Sequence, residues 1–294
     1  MRADVTLSSG AVFRAYLELL KPRLSMLVAF SCAFGFILAS QNSVDWFRLI
    51  LVTAGGFLLS GASVTINQVI EQREDTLMSR TKNRPIPTGK ISPGAAVIFA
   101  CAVMTASILF LILSTNTLTV LLSVVSMVLY SFVYTPLKKV GPVAVFAGAI
   151  PGALPPLLGW IANTGVVSYE ALVIFGIQFI WQFPHFWAIA WVADDDYKKA
   201  GFRLLPSGGG KDHNTSIQIM TYTLFLIPLG LIPAWIGLTG INSAVIVTLC
   251  GVGFLAQTFS LMKTGSNQSA MRIMFGSFIY LPVVQISYLL DKIN

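Results

Sequence analysis

Charge is scarce in this sequence. Acidic and basic residues make up 11% of its 294 positions, hydrophobic residues 55%, and the mean hydropathy is +0.76. That balance excludes an ordinary water-soluble domain and describes an integral membrane protein. Cysteine is scarce as well. Cys32, Cys101 and Cys250 are odd in number, sit in apolar stretches and match neither zinc-ligand nor disulfide spacing, so they read as small buried residues. A small-residue cleavage site is also lacking after the first apolar stretch, which is long for a signal peptide and reads as a retained helix.

What is present is a series of apolar runs of membrane-crossing length. They lie near 24–40, 46–66, 92–113, 115–135, 141–162, 169–191, 217–237, 241–262 and 272–290, which predicts an all-α polytopic protein with nine transmembrane helices. Residues 1–23 form a polar lead-in, and VFRAYLELLKPR within it is either an interfacial helix or a plain tail. Residues 24–294 form a single transmembrane domain. The net charge of +7 follows the bilayer and implies no nucleic-acid partner. Seventeen of the 19 cations fall in the lead-in and alternate connections, leaving Arg48 and Lys292 on the opposite side. The positive-inside rule then places the N-terminus in the cytoplasm.

The acids are bunched. Asn67, Glu71 and Asp75 are spaced four apart at the end of the second run, so on one unbroken helix they climb a single face with Glu74 beside them. Arg73, Arg80, Lys82 and Arg84 follow at once, before Pro85 and Pro87 stop the helix. A second bunch, Asp194, Asp195 and Asp196, ends the sixth run and leads into Lys198 and Lys199, then a Gly-rich loop, RLLPSGGGKDHN. Both bunches have the same orientation and similar spacings to a later Arg, Pro and Gly, which suggests two related halves, helices 1–4 and 5–8, plus a ninth helix. Exposed charge runs alone would be ordinary solvated surface. Carboxylates beside Arg and Lys also suit a divalent cation and a phosphorylated ligand held side by side. The fifth run, GAIPGALPPLLGW, carries prolines expected to kink or break a helix and glycines that permit close approach.

These residues resemble the UbiA superfamily of intramembrane aromatic prenyltransferases. Asn67-xxx-Glu71-xxx-Asp75 with RTKNRP at 80–85 is similar to its first signature, and DDDYKKAG at 194–201 to its second. Gln68 and Glu71, YTPLKK, GALPPLLGW and PHFWAIA look like its heme-directed branch. The superfamily usually carries Asp at the positions of Gln68 and Glu71, and another at that of Val192, which leaves Asp194 or Asp195 to substitute. The resemblance implies transfer of farnesyl from farnesyl diphosphate to a vinyl group of heme B, giving heme O. Mg²⁺ would be held by Asn67, Glu71, Asp75 and Asp196, and the diphosphate by Arg80, Lys82, Arg84 and Lys199. Trp181, Phe183, Trp187 or Tyr134 would shelter the allylic cation, and His185 would serve the heme. The implied setting is the bacterial inner membrane with a cytoplasmic active face, and a downstream heme-modifying enzyme or terminal oxidase assembly as partner.

His185 is the one ionisable residue well inside a run, so it is a functional candidate or a hydrogen-bonded structural histidine. Lys138 and Lys139 suit lipid headgroups better than heme propionates. A hydroxybenzoate or naphthoquinone-precursor prenyltransferase is the near alternative. A secondary transporter is the alternative from another class, but its coupling groups would lie near the bilayer midplane, and here the acids sit at helix ends.

Overall fold

A computed structural model describes residues 8–41 and 43–293. Arg2, one of the lead-in cations, falls outside them. In chain order the helices are α1 (Ser9–Leu19), α2 (Pro22–Ala39), α3 (Trp46–Ile70), α4 (Gln72–Leu77), α5 (Pro93–Ser114) and α6 (Thr117–Val128). A π-helical segment, Leu129–Tyr134, joins α6 to the single turn α7 (Thr135–Leu137). Then come α8 (Val143–Thr164), α9 (Tyr169–Val192), α10 (Asp194–Lys199), α11 (His213–Trp235), α12 (Ile241–Thr264) and α13 (Asn267–Leu290). Nine of these segments, counting 117–137 as one, are long and apolar enough to cross a bilayer.

Each boundary has a local cause. Asp45, Ser92, Asn116, Ser168, Asp212 and Ser266 cap helix starts through their side chains. The π segment arises just before Pro136, where Thr135 donates its N–H to Tyr130 O, five residues back. Of the two outcomes expected of the prolines in α8, a kink or a break, the break does not occur. Pro156 has no N–H for Gly152 O, and Gln178 Nε2 of α9 takes that place at 2.8 Å.

The spanning helices form a ring. α2 packs on α3, α8 and α13, α8 on α9, and α9 on α11 and α13, with α5 outside α3. Glycine sets the closest contact. A Cβ at Gly35 would lie 1.9 Å from Pro156 O, and one at Gly159 1.9 Å from Cys32 O, so α2 and α8 meet backbone to backbone. The largest apolar core joins α8, α9, α11 and α13 around Ile161, Trp191, Leu226 and Tyr288. The two cations opposite the basic face hold helix ends. Arg48 donates to Ser114 O at 2.9 Å and Ala162 O at 2.5 Å, and Lys292 donates to Ser40 O.

α3 and α9 end alike, which is what positions the site. Each breaks at a residue near the bridge region, Glu71 (φ −90°, ψ 15°) and Ala193 (φ −94°, ψ 8°), and continues as a six-residue helix. α3 therefore stops at Ile70, and the acidic face is not one unbroken helix. Backbone bonds from Glu71 N to Asn67 O and from Asp75 N to Glu71 O still keep the three residues in step.

Candidate active site

The first acidic bunch is buried. Asn67, Glu71 and Asp75 are 2%, 5% and 0% exposed, which for two carboxylates requires partners. Arg84 supplies Asp75 with bonds of 2.9 and 2.7 Å to its two oxygens. Lys138 Nζ lies 2.8 Å from Glu71 Oε1. That attraction outweighs the burial opposing the Lys138 charge and raises its pKa. Asn67 Nδ2 donates to Thr135 Oγ1 at 3.0 Å, leaving its carbonyl oxygen available.

Lys21 joins this group without any signal in the acidic motif. It is the one non-glycine residue with positive φ (44°) among the described residues. Gln68 Nε2 bonds Leu19 O at 2.8 Å, securing the α1 terminus next to it. Burial, then the charges of Arg84 and Lys138, lower its pKa to about 7. Gln68 is thus a structural clasp in this fold. Lys138 pairs with Glu71, and Lys139 pairs with Glu74. Burial pushes the Glu74 carboxyl up, but the Lys139 hydrogen bond and charge hold it below its usual value.

The second bunch is tied to the first. Ser79 Oγ lies 2.7 Å from both oxygens of Asp196, and Arg80 N donates to Oδ2 at 3.2 Å. Lys199 Nζ completes the group at 3.0 Å. The Ser79 bond, followed by that of Lys199, holds the Asp196 carboxyl far below the usual carboxylate range. Met78, Ala200 and Phe202 pack beneath this junction. Asp194 is buried and paired with Lys198 at 2.7 Å, while Asp195 and Lys82 face outward. The structure thus gathers Asn67, Glu71, Asp75, Arg84, Lys21 and Lys138 inside, with Arg80, Asp196 and Lys199 on the rim. Lys82 is not drawn in.

Among the described residues no three acids converge as a preformed metal cluster. The donor set nevertheless fits a hard cation shared with a ligand's own oxygens. Asn67, Glu71 and Asp75 offer oxygen on one face, and Glu71 Oε1 is buried without a well-aligned hydrogen bond despite its ion pair.

Directly below is an apolar cavity of about 310 Å³. Val64, Ser63 and Ser60 carry it down α3 from Asn67, and Tyr130 and Tyr134 of the π segment form its wall near the site. Lys138 Nζ stands 4.7 Å above the Tyr134 ring, which presses on Gly148. Trp181 and His185 also line the cavity. Phe183 and Trp187 do not: they pack with Tyr222 of α11, a role helical spacing alone does not reveal. His185 is fixed. Ser277 Oγ donates to Met274 O at 2.6 Å, so at 2.8 Å it accepts from His185 Nδ1, leaving Nε2 as the acceptor nitrogen. Trp181 stacks on the imidazole at 4.4 Å and bonds Ser277 O.

The UbiA prenyltransferase family model matches residues 28–281. A protoheme IX farnesyltransferase from Cytophaga hutchinsonii is 50% identical over 96% of this chain and 98% of its own length. One from Christiangramia forsetii is 42% identical over 97% and 95%. Among solved structures, a digeranylgeranylglyceryl phosphate synthase superposes with a TM-score of 0.79 at 18% identity, covering 95% of this chain and 98% of that one. A UbiA homolog from Archaeoglobus fulgidus bound to DMAPP and Mg²⁺ gives 0.67 at 17% identity, covering 93% and 98%. With near-complete coverage in sequence and in fold, this integral membrane protein belongs to the UbiA prenyltransferase family.

Proposed function

We propose that this protein is a protoheme IX farnesyltransferase, moving the farnesyl group of farnesyl diphosphate onto a vinyl group of heme B. The observation that carries this reading is a juxtaposition: a buried polar site, tied across two connections by Asp196, lies one helical turn from an apolar cavity that begins at Ser63, Val64 and Tyr134. The curated relatives supply the acceptor. The setting is the inner membrane, with the site on the cytoplasmic face that the positive-inside rule assigns.

Asn67, Glu71, Asp75 and Asp196 are the oxygen donors that would hold Mg²⁺. When bound, the ion offsets charge on the departing diphosphate. Arg84, Lys138 and Lys21 inside the site, with Arg80 and Lys199 at its rim, stabilise that anion electrostatically, whereas Lys82 faces outward and takes no part. Rupture of the C1–O bond leaves an allylic cation facing the Tyr134 ring in a pocket that keeps out bulk water. Its C1 bonds the terminal vinyl carbon. One water adds its oxygen to the inner carbon and releases a proton, giving the hydroxyethylfarnesyl substituent. His185 orients the heme from the cavity wall, its tautomer set by Ser277.

The test is direct. Purified protein with Mg²⁺, farnesyl diphosphate and an equimolar mixture of heme B and hydroxybenzoate is followed by mass spectrometry. Farnesyl plus hydroxyl should appear on the porphyrin alone, and a farnesylated hydroxybenzoate would redirect the assignment to the other acceptor class.

A further inference from the structure

The transfer consumes one water, and the span over 117–137 carries groups suited to hold it. Thr119, Ser123, Ser126, Tyr130 and Tyr134 all line the cavity, three or four residues apart along α6 and the π segment. Each bears a hydroxyl, so a polar stripe runs down one wall of an otherwise apolar space. The opposite face of the same span presents Leu121, Val125 and Phe132, all exposed, as a lipid-facing surface should.

Hydroxyls in membrane helices ordinarily turn back onto the carbonyl four residues earlier, as Thr53, Ser63 and Thr105 do. The stripe departs from that habit. Thr119 bonds Asn116 Oδ1 at 3.2 Å, but the hydroxyls of Ser123, Ser126, Tyr130 and Tyr134 have no hydrogen-bond partner among the described residues. Ser123 is 2% exposed and Tyr134 6%, so bulk solvent does not serve them either. Buried hydroxyls of this kind call for bound water. Side chains three or four residues apart on a helix stand roughly 5–6 Å apart at Cβ. One water bonded to two serine hydroxyls at about 2.8 Å each spans that gap. A cavity of about 310 Å³ has room for such a file.

We propose that Ser123, Ser126 and Tyr130 position the water that enters the product. This rests on the heme-directed reading above. When C1 of the farnesyl group bonds the terminal vinyl carbon, positive charge moves to the inner carbon. A water held at the wall forms the C–O bond there. One of its O–H bonds breaks, and the proton passes along the file toward Tyr134 and the released diphosphate beyond it. Without held water the same cation loses a proton from the adjacent CH₂ and becomes an alkene. Fixed hydroxyls admit a small number of waters, whereas bulk solvent at this place would also capture the allylic cation.

The experiment uses the full chain in lipid nanodiscs with Mg²⁺, farnesyl diphosphate and heme B, the porphyrin products being separated and identified by mass spectrometry. Wild type should give the hydroxylated adduct. Ser123→Ala combined with Ser126→Ala should raise the ratio of alkene to hydroxylated adduct by about tenfold, the scale of the lost hydrogen bonds. Tyr130→Phe keeps the ring, loses only the hydroxyl and should move the ratio the same way, which also covers a serine pair that does not fold. An unchanged ratio in a folded variant, less product at an unchanged ratio, or a wild type that yields mainly alkene overturns the water file and leaves the transfer reading intact. Wild type that farnesylates no porphyrin overturns that reading itself.

Discussion

Arg84 and Lys138 each pair with one of two buried carboxylates, Asp75 and Glu71, while burial and those two cations press the Lys21 ammonium toward its neutral form. The acids and Arg84 were legible because they share one stretch of sequence. Lys21 and Lys138 were not, because they arrive from the start of α2 and the end of α7, and only folding reveals whom they face. His185 illustrates the converse case. Its isolation in an apolar run marked it in the sequence, but its orientation depends on Ser277, 92 residues away. His185→Ala should weaken heme use by at least about tenfold, the scale of losing a positioned group, while leaving farnesyl diphosphate binding within twofold. Heme titration by absorbance and calorimetry with the donor analogue separate the two. Equal loss of both would make the histidine structural.

At the scale of elements, hydropathy predicted the number of spans and their ends to within a few residues, because a bilayer-length apolar run is a strong signal. The continuity of helices is less legible. α3 breaks at Glu71 although nothing in its local sequence forbids continuation, and in α8, which runs unbroken through three prolines, a glutamine on its neighbour replaces the donor lost at Pro156. Both outcomes depend on tertiary partners that propensity cannot contain. The glycines of α8 line a helix contact. Gly159→Ala should force α2 and α8 apart at Cys32 O, costing about 1–3 kcal/mol or more in overpacking. Thermal unfolding in detergent should show a clear drop, whereas Gly176→Ala, with open space around it, should leave the midpoint unchanged. Equal midpoints for the two variants would contradict the close approach.

For the whole molecule, α3 and α9 break alike, and each is followed by a six-residue helix carrying acids. The two connections then meet. Asp196 crosses from the second half to Ser79 and Arg80 in the first, and Arg84 and Thr81 of that same connection hold Asp75, so both motifs share one frame. The sequence showed two similar motifs, while their joining is a property of the closed ring. A double-mutant cycle on Asp75→Asn and Asp196→Asn, read as diphosphate release under single-turnover conditions, tests this joining most directly. Each single change should slow release by about 10²- to 10³-fold, and the pair should be little slower than the worse of the two, as expected for groups acting as a unit. Losses that simply multiply, or a full rate with either motif disabled, would contradict a single shared site.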